Sequence, residues 1–577
     1  GGQVQAHVKA YVEGLREGHV EPFEVQPFIV ERVTQLVNRP PTIRTIYNRI
    51  KEKGDSQFSP VTLASMLERG ASLFASPTEV TVSGFFTQRA WNNFVQEQIK
   101  QASQTPSQKG LIGDPSSELS ENLRDPETVR QKLRERYFGE YVTAWRKYLA
   151  NIRYRSFDDL RSAADALQTL GDQYNSPLLY VLGGVTNQTR FGSKVSTAAK
   201  AAQKQAQEEA TQRAEGAVQR KTGVRADAPD AASSGSDNAH PVNSRMEAIH
   251  RLQPIGPGGT SDDLAEALRV LREVGRKLDG VRNDRRQTYK FATRVLAEEQ
   301  MDQQLRSLRS YLSQISATAR RELFERPITE GWRAVLSRTQ EYLNARWEED
   351  VYRFYQANLE GRYPLSDSPN EVPITTFQKF FRPQDGRLAS FEQNYLAPFL
   401  REGERRPKTW EGQGIQVSSS MVEALERADK IRNELFSGGF GLQFTLTPDL
   451  PKRDGGAPTP GRVTIRAHGT NLVYRMGAPT DKQFEWPGSS RGATVQIRTN
   501  EGPVGPVTAS GSWAWFRLLE KAEVTPESPT NYRLQWRFSP SDRYALTAVY
   551  GLRDRNALTI YADPGDVLRF SAPETLN

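Results

Sequence analysis

Up to Leu435 the large apolar residues of this chain recur every three or four positions, and beyond Gly438-Gly439 they recur every second position. A spacing near 3.6 belongs to helices with one buried face and a spacing of two to strands with one buried face, so one kind of element cannot build the whole chain. With 577 residues it also exceeds what a single core organises. The pattern predicts an α+β architecture, with elongated multi-helix bundles followed by a C-terminal antiparallel β-sandwich.

Residues 1–190 form the first expected helical block. Asp125-Pro126 is a helix start, with Asp as N-cap and Pro at the first helical position, and Val129, Leu133, Tyr137, Tyr141, Trp145, Leu149 and Ile152 follow at helical spacing. Ser156 with Asp159 reads as a second start, Leu160, Ala164, Leu167 and Leu170 as its stripe, and Gly171 as its stop. Ser176-Pro177 opens a third helix, and Gly183-Gly184 reads as a helix end.

Residues 191–259 turn to Ala, Gln, Lys and Glu and then to Ala, Ser, Gly, Asp and Pro, which predicts a flexible low-complexity linker, mobile over 198–243. A second helical block with long helices is expected over 260–437. Thr260 with Asp263 starts it, and Leu264, Leu268, Leu271, Leu278 and Val281 make its first stripe. Met301, Leu305, Leu308, Leu312, Ile315, Ala319 and Leu323 then alternate steps of four and three up to Pro327, predicting one long bundle helix. Another long helix is expected from Trp332 through Leu343, Trp347 and Val351, and a last one carries Val422, Leu425, Ile431 and Leu435.

Residues 438–577 make the expected β domain of about eight strands. Phe440, Leu442, Phe444 and Leu446 alternate with polar residues, as do Tyr532, Leu534, Trp536 and Phe538. Val463, Ile465, Val495, Ile497, Leu558, Ile560, Leu568 and Phe570 mark further short strands. Within 484–524 three tryptophans, Trp486, Trp513 and Trp515, crowd into a short span. Indoles are costly to leave in water, so Trp486, Trp513, Phe516 and Trp536 are expected as the structural core, with Ser512 capping a short helix that plugs one side of a sheet.

No chemistry of catalysis emerges from the residues. Cysteine is absent, which excludes thiolate metal sites, disulfides and a cysteine nucleophile. His7, His19, His240, His250 and His468 are scattered without metal-ligand spacing. Gly488-Ser489-Ser490-Arg491-Gly492 matches G-x-S-x-G, but a proline precedes it and a strand pattern follows, where a nucleophile elbow requires a strand and then a helix. No enzyme activity, metal or cofactor is expected. The formal charge is +8, but acidic and basic residues intermingle, so no nucleic-acid partner is expected. The best apolar run, residues 177–185, is about half of the ~18 residues a membrane span needs, so the chain as given is expected to be soluble. It begins Gly1-Gly2 without an initiator Met, which reads as an excised or processed segment and leaves room for a membrane anchor upstream.

Several stretches resemble one family. Gly84-Phe85-Phe86-Thr87 ahead of Trp91, Tyr141-Val142-Thr143-Ala144-Trp145, Ser176-Pro177-Leu178-Leu179, Gly361-Arg362-Tyr363-Pro364-Leu365 and Phe377-Gln378-Lys379-Phe380-Phe381-Arg382-Pro383 occur in order. Trp486-Pro487-Gly488 and Gly511-Ser512-Trp513-Ala514-Trp515-Phe516-Arg517-Leu518-Leu519 complete the set. Together they resemble the IcmF family (TssM), inner-membrane subunits of the type VI secretion membrane complex, over nearly the whole chain. The resemblance departs at Val82-Ser83-Gly84, where the family more often has Pro-Gly, and after Phe191.

That resemblance implies a structural scaffold rather than an enzyme: the periplasmic region of an inner-membrane-anchored protein, docking the outer-membrane lipoprotein TssJ through its C-terminal β domain. The inner-membrane subunit TssL and self-association into a ring-like complex are the other implied partners. A glycan- or cell-wall-binding envelope protein is the alternative; it would need an exposed aromatic platform. The partner face is expected on the polar side of the β-domain strands, around Arg491, Arg498, Arg533 and Arg537, with Trp486 and Trp513 as buried support.

Overall fold

The computed structural model describes residues 2–19, 28, 42–104, 125–192, 240–253, 260–298, 300–541 and 544–577. The chain divides into two compact units, the first formed by Gly1–Ser156, Ala164–Arg276 and Gln304–Ile328, the second by Phe157–Ala163, Lys277–Gln303 and Thr329–Asn577. Helices expected in one block over 260–437 thus contribute to both. Most of the expected linker, residues 193–239 and 254–259, lies outside the described residues, whereas Pro241–Leu252 within it is a helix.

Among its described residues the first unit is helical, apart from the two-residue strands β1 (Val61–Thr62) and β2 (Thr81–Val82). Its central helix Pro126–Asn151 starts where Asp125 accepts hydrogen bonds from Glu127 N and Thr128 N, and it buries Val129, Leu133, Tyr137, Tyr141, Trp145 and Leu149. Phe85, Phe86 and Trp91 pack on that stripe, with Trp91 stacked on Tyr137 at 5.2 Å. Tyr137 OH donates to Phe85 O and Trp145 Nε1 to Phe86 O, both at 2.9 Å, so the polar tips of the buried rings are satisfied. Helix Pro177–Thr189 begins at Ser176, whose hydroxyl accepts from Leu178 N. Asn243 clasps Phe191 by accepting from its N–H and donating to its carbonyl, at 2.8 and 2.7 Å.

Four local expectations change here. The cap of helix Leu160–Leu170 is Asp159, which accepts from Ser162 N at 2.7 Å, rather than Ser156, because Ser162 Oγ in turn accepts from Asp159 N and closes a capping box there. Gly183 and Gly184 sit inside helix Pro177–Thr189 rather than ending it; a Cβ on Gly184 would come within 2.8 Å of Met66 Sδ, so close approach explains the glycine. The Met301–Leu323 stripe is buried but broken: helix Gln300–Tyr311 ends, and Ser316 caps the helix Ala317–Arg320 by accepting from Ala319 N. Pro327 does not stop the second helix. Ala317–Arg320, a π-turn at Arg321–Glu325 and Arg326–Trp347 follow one another without a break, and the π-turn, in which Arg326 N bonds to Arg321 O, is the local widening that accommodates the proline.

In the second unit the helix Ser419–Phe436 leads into nine strands in two antiparallel sheets. These strands are β3 (Leu442–Asp454), β4 (Pro460–Ala467), β5 (Thr470–Tyr474), β6 (Lys482–Trp486), β7 (Gly492–Thr499), β8 (Gly502–Ser510), β9 (Glu523–Ser528), β10 (Asn531–Ser541) and β11 (Tyr544–Asp554). One sheet has the order β6-β3-β11-β10-β9 and the other β5-β4-β7-β8.

The residues around Leu558, Ile560 and Leu568 are not strands. Thr559–Tyr561 is a 3-10 turn and Pro564–Leu568 a short helix, because Glu434 captures Thr559 N and Ile560 N, and Pro564 follows the cap Asp563. Phe570 lies beyond that helix, its ring 5.1 Å from Phe381. Trp347 Nε1 donates to Pro573 O and Ser418 N to Leu576 O, so these C-terminal residues pack on the unit's helices.

Candidate docking faces of the β domain

The interior of the β domain is aromatic. Helix Ala514–Leu519 lies between β8 and β9 in sequence, and Trp513 is its N-cap residue. Ser512 does not cap it; its N–H is instead given to Glu371 Oε2 at 2.8 Å. Trp486, Trp513, Phe516 and Trp536 are all buried. Trp486 lies 4.9 Å from Trp513 and 4.6 Å from Phe516, and its Nε1 donates to Ser512 O. Trp536 Nε1 donates to Leu518 O, tying the plug helix to β10.

Four of the segments that suggested the family, those within 361–365, 377–383, 486–488 and 511–519, meet at this plug. Trp513 Nε1 donates to Val372 O at 2.7 Å and packs on Phe377. Arg517 pairs with Glu371 at 3.3 Å, donates to Ser368 O and lies over the Tyr363 ring at 3.7 Å, with Arg569 near the same ring at 5.7 Å. Gly511 has φ +94, and a Cβ there would fall 2.2 Å from Glu371 Oε2. Burial pushes the Glu520 carboxyl beside Tyr363 upward. Glu371 and Arg517 were not anticipated as a pair, since 146 positions separate them.

The four arginines expected on one partner face are not brought together. Arg498 is exposed on β7 and Arg491 just ahead of it, in the four-stranded sheet; Arg533 and Arg537 belong to β10, in the five-stranded sheet. On β10 the alternation is as expected, with Tyr532, Leu534, Trp536 and Phe538 buried. Arg533 pairs with Glu527 at 2.6 Å and Asp449 at 3.0 Å, Arg537 reaches Asp454 at 3.7 Å, and Arg553 reaches Asp481 at 3.5 Å. The five strands balance Asp449, Asp454, Glu485, Glu523, Glu527 and Asp554 against Lys452, Arg453, Lys482, Arg533, Arg537 and Arg553.

The four-stranded sheet differs. Its strands carry Arg462, Arg466 and Arg498 and no carboxylate. Val463, Ile465, Val495 and Ile497 point inward, leaving the arginines, Thr464 and Gln496 on the other side. Arg462 stands directly opposite Arg498 in the β4-β7 register. None of Arg462, Arg466, Arg491 and Arg498 forms an ion pair with a described residue.

The G-x-S-x-G stretch joins β6 to β7. Ser489 Oγ donates weakly to the His468 carbonyl at 3.5 Å, while His468 Nδ1 is 2.9 Å from Ser490 O, so the imidazole is not presented to a serine hydroxyl. Burial holds the His468 pKa below its ordinary value. Among the described residues no group of His, Asp and Glu could hold a metal, and no aromatic side chain of the β domain is exposed.

A helical chain ending in an aromatic-cored β domain, with buried hydrogen bonds that join the helices of the second unit to that domain, is the class of protein these features define. Models of the family match in chain order: "IcmF-related: Intracellular multiplication and human macrophage-killing" over residues 2–190, the IcmF helical domain over 338–440, and the IcmF C2-like domain of type VI secretion proteins over 456–548. The chain belongs to the IcmF family. It is 23% identical over 563 residues to the type VI secretion system component TssM1 of Pseudomonas aeruginosa, covering 92% of this chain and 48% of that relative. It therefore spans about half the length of the relative it matches. Its fold is similar to a chain titled "Type VI secretion system membrane core complex" (TM-score 0.60, 21% identity, 93% of this chain and 99% of that one). A second such chain, "Type VI membrane complex", gives TM-score 0.57 at 21% identity, over 93% of this chain and 100% of that one. No described helix is long and apolar enough to cross a membrane.

Proposed function

We propose that this chain is a structural, non-enzymatic part of a type VI secretion membrane complex. It acts in the periplasm as the extramembrane region of an inner-membrane-anchored protein, beside TssL, and self-associates in a ring-like assembly. Its β domain docks the outer-membrane lipoprotein TssJ. The observation that carries the docking reading is the outer face of the five-stranded sheet, where Arg533 and Arg537 stand among the carboxylates Asp449, Asp454 and Glu527, and Leu450, exposed at 62%, follows Asp449 in β3. Mixed charge around an apolar point suits a complex between separately folded soluble proteins.

The proposal narrows the expected partner residues to Arg533 and Arg537, which share a sheet, and leaves Arg491 and Arg498 outside the protein interface. The test titrates the full chain with the soluble domain of the cognate lipoprotein. Arg533→Gln with Arg537→Gln is expected to weaken binding on the order of tenfold, with Arg491→Gln and Arg498→Gln close to wild type. Unchanged affinity in the β10 variant, with unchanged unfolding, would remove this face as the docking site.

A further inference from the structure

The outer face of the four-stranded sheet has cations with nothing to neutralise them. Arg462 and Arg498 are cross-strand partners, which puts their Cβ atoms about 5 Å apart, and Arg466 lies on the same face of β4. Like charges set directly opposite one another are destabilising, and on the five-stranded sheet Arg533, Arg537 and Arg553 are each met by a carboxylate. Here none of the four strands supplies a carboxylate, and Arg491 at the head of β7 adds a further unpaired guanidinium. No ion pair with a described residue neutralises these guanidinium groups, so they stand available to an anion from outside.

We infer that this face, built on Arg462, Arg466 and Arg498, binds the anionic headgroup layer of a phospholipid bilayer. A protein partner is the less suited occupant. Interfaces between proteins centre on large apolar or aromatic anchors, and between the arginines this face offers only Thr464 and Gln496, with Val473 as its one exposed large apolar residue, at 39%. A headgroup layer needs no such anchor. It presents many singly charged phosphates in a plane, each able to accept from the fork of a guanidinium, so neighbouring arginines each find an anion and their mutual repulsion is relieved. The inference does not depend on the lipoprotein reading, which concerns the other sheet.

Each arginine held at an anionic bilayer strengthens binding by about fivefold, so three together give on the order of a hundredfold preference over a neutral bilayer, lost as salt shortens the screening length. The experiment co-sediments the full chain with vesicles of phosphatidylcholine alone and of phosphatidylcholine with roughly a third phosphatidylglycerol, at low and high salt. Wild type is expected on the anionic vesicles at low salt only. Arg462→Gln, Arg466→Gln and Arg498→Gln combined should abolish that preference, while Arg533→Gln with Arg537→Gln should keep it. The triple variant removes mutual repulsion and no ion pair, so its unfolding curve and its lipoprotein binding serve as proof of folding. Equal binding to both vesicle types, or a folded triple variant that still sediments, overturns the inference. So does a triple variant that loses the lipoprotein when wild type ignores vesicles, which would give this face to a protein.

Discussion

The two sheets of the β domain share an aromatic interior but finish their outer faces differently. On the five-stranded sheet every outward arginine of β10 meets a carboxylate from β3 or β9. On the four-stranded sheet Arg462 faces Arg498 and no strand offers an acid. Exposed ion pairs add only ~0–1 kcal/mol each, so the difference is not chiefly one of stability. It is one of availability: a guanidinium already forked onto Glu527 and Asp449 must exchange partners before it binds anything, and an unpaired one need not.

The strongest way to break the comparison is to remove what the sheets have in common. Trp513 is fully buried between Trp486, Phe377 and Phe516. Trp513→Ala should cost about 3–5 kcal/mol in a denaturant titration, lowering both sheets together. A loss confined to one sheet, read by hydrogen exchange, would show that they do not depend on a common plug.

A smaller effect separates them by pH. His468 follows β4 and is the one histidine beyond residue 437. Burial depresses its pKa in the folded state, so the neutral ring's contribution is complete above the ordinary histidine value of about 6.5 and is lost as pH falls through the lower folded one. Amide exchange in β4 and β5 should therefore rise on acidification before that in β10 and β11, and His468→Gln should flatten the response. Equal sensitivity of both sheets would assign the effect to carboxylates instead.

The mildest test converts one face into the other. Asp449→Asn with Glu527→Gln frees Arg533 and should change stability by less than about 1 kcal/mol. The variant is expected to gain measurable retention on anionic vesicles. Retention no greater than wild type would mean that unpaired charge alone does not define the difference.

Much of this architecture was written in local patterns. Asp125-Pro126 and Ser176-Pro177 start helices where they should, and the alternation of Tyr532, Leu534, Trp536 and Phe538 points inward as a strand should. Local spacing was less able to find interruptions. The Met301–Leu323 stripe keeps its register of burial across a break at Ser316, because the same face stays inward after the chain restarts. Leu558 and Ile560 alternate like a strand, but Thr559–Tyr561 is held as a turn by Glu434, which is more than a hundred positions away, and Leu568 belongs to a short helix capped by Asp563. The arginine face failed for a related reason. A period of two says which side of its own strand a residue takes, but strand order is a non-local property, and β7 and β10 entered different sheets. The pairing of Glu371 with Arg517 was invisible for the same cause.

That pairing has a mechanical consequence. Trp513, Arg517 and Ser512 are fastened to Val372, Ser368 and Glu371 by hydrogen bonds that lie side by side, with the Phe377 ring wedged against the indole. Bonds arranged in parallel share a pull, whereas bonds in a row open one at a time. A pull on the plug helix is thus borne jointly by its contacts to residues 368–377, so that loosening one of them leaves the β domain fastened to the helices of its own unit.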